Sequence, residues 1–215
     1  MKNRLVILFM FALIAILIIG CSEDGEDTII GDGDDNDGIL FGFASMKPGS
    51  WVEYTSSSGE RDRMEYIGTD TYNGTECYIL EMELGQTIDQ IWISKSKAET
   101  VLFLIKEEDL VMKMDTSQTP DISTEPGKVA TTSKSIGKKD YTTPTGRKVE
   151  ATIYKVQTSS GEAEEWISDE VPFYTVKSIF NGITTTELYD FGTSGAVRDI
   201  SKQDAENALP FGFPF

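Results

Sequence analysis

Beyond residue 50 the chain is a succession of short segments in which apolar and polar residues alternate. One segment runs from Ser50 to Thr55, and another runs from Glu76 to Leu84. Alternation with a period of two is typical of a strand that buries one face. Between such segments, Asn73-Gly74 is a preferred tight turn of a hairpin. The pattern therefore predicts a mainly β, antiparallel protein.

Three segments depart from simple alternation. The run from Val101 to Ile105 is apolar throughout, which predicts a strand covered on both faces. The polar residues 116–127 predict a long loop, where we expect mobility or a lid. Residues 199–209 predict one short C-terminal helix, with Ser201 as its N-cap and Asp204 at the third helical position.

Two parts of the chain resemble each other. Trp92-Ile93-Ser94 recurs 74 positions later as Trp166-Ile167-Ser168, and the neighbouring segments agree in side-chain class. We interpret residues 51–115 and 138–191 as two similar β meanders. Two units suit duplicated halves of one sheet, because a solenoid needs at least three repeats. Chance similarity between strands of like composition is the alternative.

The N-terminus has a different pattern. Two of the first four residues are basic, residues 5–20 form a 16-residue apolar run, and Cys21 is followed by Ser22-Glu23-Asp24. A basic start, a short apolar run and a small residue before the cut are the marks of a secretory signal. A membrane-spanning helix needs about 20 apolar residues. The segment Leu17-Ile18-Ile19-Gly20-Cys21 resembles the lipobox of bacterial lipoproteins.

This resemblance implies cleavage between Gly20 and Cys21, so that residues 1–20 are the signal peptide. It implies a diacylglycerol on the Cys21 sulfur and, in many bacteria, a further acyl chain such as palmitate on the amine. Two or more chains hold a protein on a bilayer stably. We therefore expect an extracytoplasmic protein, lipid-anchored at the periplasmic face or the cell surface. An uncleaved N-terminal helix is the alternative, and it also places the rest outside the cytoplasm.

Residues 21–38 comprise the lipidated cysteine and an acidic stretch with eight carboxylates and no basic residue. This composition predicts a disordered, extended tether. Asp32, Asp34 and Asn36 have the alternate oxygen ligands of a calcium loop, but the pattern then fails because Phe43 stands where the loop needs a glutamate. We expect a single β-rich domain over residues 39–215.

Composition excludes several classes of function. A net charge of −17 opposes nucleic-acid binding. Histidine is absent, which removes the Ser-His-Asp and Cys-His catalytic arrangements and the usual zinc sites. Cys77 is the one cysteine besides Cys21, and we expect it to be a buried core residue. The sequence therefore predicts no catalytic residue, metal or cofactor.

The lipobox, about eleven short antiparallel strands and the run from Glu165 to Phe173 together resemble the lipoprotein-localisation-factor superfamily. This resemblance implies a strongly curved sheet, or incomplete barrel, whose concave apolar face holds acyl chains or another hydrophobic ligand. We expect six aromatic residues to line that face or the core behind it. They are Trp51, Trp92, Phe103, Trp166, Phe173 and Tyr174.

The leading hypothesis is a non-enzymatic lipoprotein that binds a lipid, another hydrophobic ligand or an envelope protein. The alternative is a structural or protein-interaction module of the cell envelope. A third hypothesis is a glycoside hydrolase that uses Asp169 and Glu170. Adjacent residues of a strand would point to opposite faces, so this pair is poorly placed for shared chemistry. We expect two solvated turn carboxylates.

Overall fold

The computed structural model describes residues 46–97, 99–114, 132–158 and 161–210. They form one twelve-stranded sheet and one short helix. The elements are β1 (Ser50–Ser56), β2 (Arg61–Tyr72), β3 (Thr75–Leu84), β4 (Thr87–Ser94), β5 (Thr100–Glu107), β6 (Leu110–Met114), β7 (Thr132–Thr142), β8 (Lys148–Thr158), β9 (Gly161–Ile167), β10 (Thr175–Phe180), β11 (Ile183–Gly192), α1 (Lys202–Asn207) and β12 (Leu209–Pro210).

Several predictions fall outside these residues, namely the signal peptide, Cys21, the acidic tether and the loop at 116–127. Within the described ranges, no helix has the length and hydropathy needed to span a membrane.

The strand order is β12-β6-β5-β4-β3-β2-β1-β11-β10-β9-β8-β7. Strands β1 to β6 form one meander, β7 to β11 form another, and β1 joins them by pairing with β11. All pairs are antiparallel except the short parallel pairing of β12 with β6. The sheet is curved and does not close into a barrel. The predicted fold class is confirmed.

Local sequence explains most element boundaries. Asn73 and Gly74 have φ angles of 48° and 81°, as the two central residues of a type I′ hairpin turn require. The helix begins where predicted, because Ser201 and Asp204 form a capping box. The Ser201 hydroxyl accepts from the Asp204 backbone N–H, and the Asp204 carboxylate accepts from the Ser201 backbone N–H. The twelfth strand was not predicted, since its two residues pair only through docking of the C-terminal segment.

One face of the sheet, here the inner face, carries a core that continues through both meanders. Met64 and Phe173 each pack against two of its clusters and so connect them. Its buried members are Val52, Tyr54, Tyr66, Leu80, Met82, Ile91, Phe103, Val149, Ala151, Trp166, Val171, Val176 and Leu188. Curvature contributes to this burial, because the Tyr141 hydroxyl of β7 reaches the Leu188 carbonyl of β11 at 2.6 Å, across three strands.

The opposite face, here the outer face, is covered along β3, β4 and β5 by the C-terminal segment, residues 193–210. Ile200, Ala205 and Ala208 pack there against Trp92 and Leu102. Cys77 belongs to the same cluster and is fully buried, as predicted. The apolar β5 segment is thus covered on both faces, with Leu102 and Leu104 outward and Phe103 inward.

Candidate functional site

A cavity of about 200 Å³ lies on the outer face, between β2, β3, β4 and the C-terminal segment. It is lined by Arg63, Glu65, Glu81, Glu83, Ile88, Gly195, Val197 and Asp199. Most of these side chains are charged, although the sheet around them is apolar. This cavity is the candidate site of the described residues.

Glu81 is the centre of the site and is 2% exposed. Its Oε1 accepts from the Gln90 amide at 2.6 Å and from the Ile200 backbone N–H at 3.0 Å. Its Oε2 accepts from the Asp199 backbone N–H at 2.8 Å. Burial raises the pKa of Glu81, against the lowering effect of these hydrogen bonds. The carboxylate therefore fastens the C-terminal segment to the middle of the sheet.

Gln90 extends the network behind Glu81. Its amide also donates to the Ile200 carbonyl at 2.9 Å, and its oxygen accepts from the Trp92 indole N–H at 2.6 Å. Arg198 lies over the Trp92 ring, 5.2 Å from the ring centroid, and pairs with Asp70 at 3.2 Å. Polar side chains of β3 and β4 thus form hydrogen bonds with the backbone of the C-terminal segment that covers them.

The carboxylates of Glu65, Glu81 and Asp199 approach one another closely. Each offers one oxygen within 4.8 Å of the other two, which is a spacing that could hold a cation. However, both Glu81 oxygens accept backbone or amide hydrogens, and Glu65 accepts from the Arg63 guanidinium at 2.6 Å. Neutral donors thus occupy both Glu81 oxygens, and the Arg63 guanidinium pairs with Glu65. The arrangement therefore fits a structural fastening better than a metal centre.

The structure places five of the six predicted aromatic residues on the two faces of the sheet, and the sixth, Tyr174, lies in the connection between β9 and β10. Phe103, Trp166 and Phe173 belong to the inner-face core. Trp92 lies beneath the C-terminal segment on the outer face, and Trp51 pairs across β1 and β2 with the cavity residue Glu65. The six side chains are not brought together. Contact of any of them with a ligand stays a prediction.

Their burial differs as well. Trp92, Trp166 and Phe103 are 1%, 8% and 9% exposed, which is core packing. Trp51 is half-buried, with the Arg63 guanidinium 4.1 Å above its ring and its indole N–H donating to the Ser194 carbonyl. Its contacts therefore belong to the docking of the C-terminal segment.

Phe173 and Tyr174 are half-buried in the connection between β9 and β10 and share an uncommon backbone. Each has a φ angle of 62°, in the left-handed region that bulky residues rarely adopt. This conformation directs Phe173 onto Tyr66 and Leu80 of the first meander as well as onto the second. Such strain persists only where surrounding packing fixes it.

Two other carboxyl groups have strongly raised pKa values. Burial raises the pKa of Asp89 from 3.8 to about 6, and the charge of Glu107 adds to the effect. Asp89 is 2% exposed and lies between Met82 and Ile105 by strand register. Burial also raises the pKa of Glu165 from 4.5 to about 7, although the Ser178 hydroxyl donates to it at 2.5 Å.

Asp169 and Glu170 lie exposed in the turn after β9. A Glu170 oxygen accepts from the Glu150 backbone N–H at 3.2 Å. The pair therefore lies in a solvated turn, as the sequence analysis predicts.

Sequence reasoning missed Glu81, Gln90 and Asp89. A signal was available, because Glu81 follows Cys77 and Ile79 at alternate positions, on the same face of the strand. A charged residue at a buried position of an alternating pattern indicates a partner from elsewhere in the chain.

Glu81→Gln tests the fastening. We expect a loss of about 2 kcal/mol in the free energy of unfolding, because an amide cannot accept on both sides and leaves a buried donor unpaired. Hydrogen exchange at the Asp199 and Ile200 amides should accelerate more than exchange in β3 and β4. Glu83→Gln, an exposed change in the same strand and cavity, is the control. Equal effects of the two changes would contradict the assignment.

The raised pKa values of Asp89 and Glu165 predict that stability depends on pH. At pH values between about 4.5 and 7, the folded state holds protons on Asp89 and Glu165 that the unfolded chain has released. Stability should therefore rise by roughly 1–3 kcal/mol as the pH falls from 8 to 5. Asp89→Asn should flatten this slope and stabilise the protein at pH 8. Asp109→Asn, an exposed change, should leave the slope unaltered in denaturant titrations.

No protein family and no curated protein matches this sequence. Among solved structures, PNGF-II aligns at 11% identity and a TM-score of 0.37, over 75% of this chain and 30% of that chain. A Bacteroides fragilis protein assigned as exported, with a YmcC-like fold, aligns at 8% identity and a TM-score of 0.30, over 68% of this chain and 97% of that chain. A Parabacteroides distasonis protein assigned as a lipoprotein aligns at 9% identity and a TM-score of 0.32, over 68% of this chain and 96% of that chain. Likenesses this distant assign no function.

Proposed function

We propose that this protein is an extracytoplasmic lipoprotein, anchored to a membrane through lipid on Cys21. The observation that carries the proposal is the N-terminal pattern of a basic start, a 16-residue apolar run and Gly20-Cys21, followed at once by acidic residues. The run is short for a spanning helix and right for a cleaved signal.

The inner face is the proposed site for a hydrophobic ligand such as an acyl chain. Met82, Ile91 and Phe103 form a buried cluster there, with five half-buried apolar side chains packed against it. These are Met64, Leu84, Ile93, Ile105 and Met114. Three of the eight side chains are methionines, which adapt to irregular apolar ligands. Binding there would need no catalytic group, which fits a non-enzymatic role.

A specific observation favours a second candidate, a structural or protein-interaction module. Phe103, Trp92 and Trp166 are all less than 10% exposed, so their rings serve the core. The outer-face cavity of about 200 Å³ is lined mainly by charged groups and is smaller than common ligand pockets, which exceed roughly 300 Å³. In this candidate the domain presents a surface to an envelope partner.

Cys21→Ser tests the anchor. The full chain carrying this change should lose incorporation of labelled palmitate and should no longer be processed at Gly20. Far-ultraviolet circular dichroism should show an unchanged β domain, because residue 21 precedes the described sheet. Wild-type protein should keep both the label and membrane retention after a high-salt wash. Label that persists on the mutant would contradict lipidation at Cys21.

Ile93→Gln tests the ligand site. Ile93 is half-buried at the inner face of β4, so a polar amide there should weaken uptake of a fluorescent fatty acid roughly tenfold, equivalent to about 1.4 kcal/mol. Ile88→Gln is the matched control, because Ile88 is half-buried on the outer face of the same strand. Equal affinity in both variants, with no lipid extracted from membrane-purified protein, would favour the interaction module.

A further inference from the structure

The hairpin of β7 and β8 is basic in a strongly acidic chain. Residues 132–158 hold six basic and two acidic side chains, a net charge of +4, whereas the whole chain carries −17. Three of the lysines, Lys134, Lys138 and Lys139, lie on β7, and all three are exposed. Positive charge is therefore concentrated at one end of the sheet.

Strand β7 also ends the strand order, so one of its edges has no partner strand among the described residues. Between its lysines lies Ile136, a large apolar side chain that is 47% exposed. A bulge near Gly137 interrupts the register with β8. Lysines and bulges commonly protect strand edges from pairing with other strands. The same lysines attract an acidic strand.

The chain itself contains a segment of the complementary kind. Residues 23–31 read Glu-Asp-Gly-Glu-Asp-Thr-Ile-Ile-Gly, with four carboxylates followed by three β-branched residues. Thr, Ile and Ile have high strand propensity and are out of place in an otherwise acidic tether. We propose that residues 23–31 dock antiparallel along the free edge of β7, with Ile30 at Ile136 and the carboxylates directed toward Lys138 and Lys139.

The chain is long enough for this contact. Five strand spacings of about 4.8 Å separate β1 from β7, which is about 24 Å along the sheet. The 14 residues 32–45 can span up to about 46 Å. Because the segment is tethered to the same molecule, its local concentration is high, and weak charge pairing is sufficient for docking.

Existing pairs on the hairpin do not prevent the contact. Lys138 pairs with Glu150 at 2.8 Å, but both side chains are more than half exposed, so this pair adds little stability and can exchange. Lys139 lies 5.0 Å from the Trp166 ring centroid and keeps its ammonium group accessible. No described acidic residue pairs with Lys134.

Docking would change how the domain is held. Cys21 lies two residues before Glu23, where the docked segment begins, so a lipid at Cys21 would be at most about 7 Å from that segment. The β7–β8 hairpin would then be the part of the domain nearest to the membrane, in place of a domain standing off on an extended tether.

Hydrogen exchange of the full chain tests the docking. Neutralising the four acidic residues, as E23Q/D24N/E26Q/D27N, should accelerate exchange of the β7 amides at residues 134–139 at least tenfold. The control is D34N/D35N/D37N, which removes three carboxylates outside the proposed contact and should change exchange less than twofold. High salt should act on wild-type protein as the first variant does, because it screens the pairing.

Charge reversal gives an independent measurement. Lys134→Glu with Lys138→Glu and Lys139→Glu should abolish β7 protection, and replacing the four acidic residues of 23–27 by lysine in the same chain should restore it. Exchange in β3 and β4 reports whether each variant is folded. Equal effects of the two neutralised variants would overturn the proposal. Protection that rises with protein concentration would also overturn it, since that result assigns the contact to a second copy.

Discussion

The pairing of β1 with β11 is the interaction on which the rest of the fold depends. It joins the two meanders into one sheet, with Tyr54 opposite Leu188 in its register. The Tyr54 hydroxyl then reaches past β11 to the Thr175 carbonyl at 3.2 Å, as Tyr141 does to Leu188 from the other side. These long-range contacts curve the sheet, and the curvature buries an inner face that no described helix covers.

The pairing of β1 with β11 also positions the outer-face site. Gly192 ends β11 directly opposite Trp51, and a Cβ there would meet the Trp51 indole nitrogen at 2.5 Å, so only glycine permits this approach. The chain then turns across β2 and β3 toward Glu81. Because Glu81 accepts both the Asp199 and Ile200 backbone N–H groups, the segment is held in one register, and Ile200 is placed in the outer core.

Local sequence was sufficient to predict the strands, the Asn73-Gly74 turn and the Ser201 cap, since each depends on neighbouring residues. Local sequence could not predict the indole partner of Trp51 or the backbone partners of Glu81, because these partners are more than 100 positions away. The matching Trp92 and Trp166 both donate to the side chain two residues earlier, at 2.6 Å, but they belong to different core clusters. A duplication of the two halves stays a prediction.

Charge imposes the remaining constraint. The fold buries the carboxylates of Glu81 and Asp89, yet only Glu81 is given backbone donors by the described residues. A carboxyl group that is buried without hydrogen-bond donors is favoured in its protonated form, so Asp89 loses its charge more readily than the surface acids do. Excess negative charge on the surface opposes compaction, and the β7–β8 hairpin offsets it locally. A protein of this composition is therefore more stable at mildly acidic pH. Protonation lowers both the desolvation penalty of the buried carboxylates and the repulsion between the surface carboxylates.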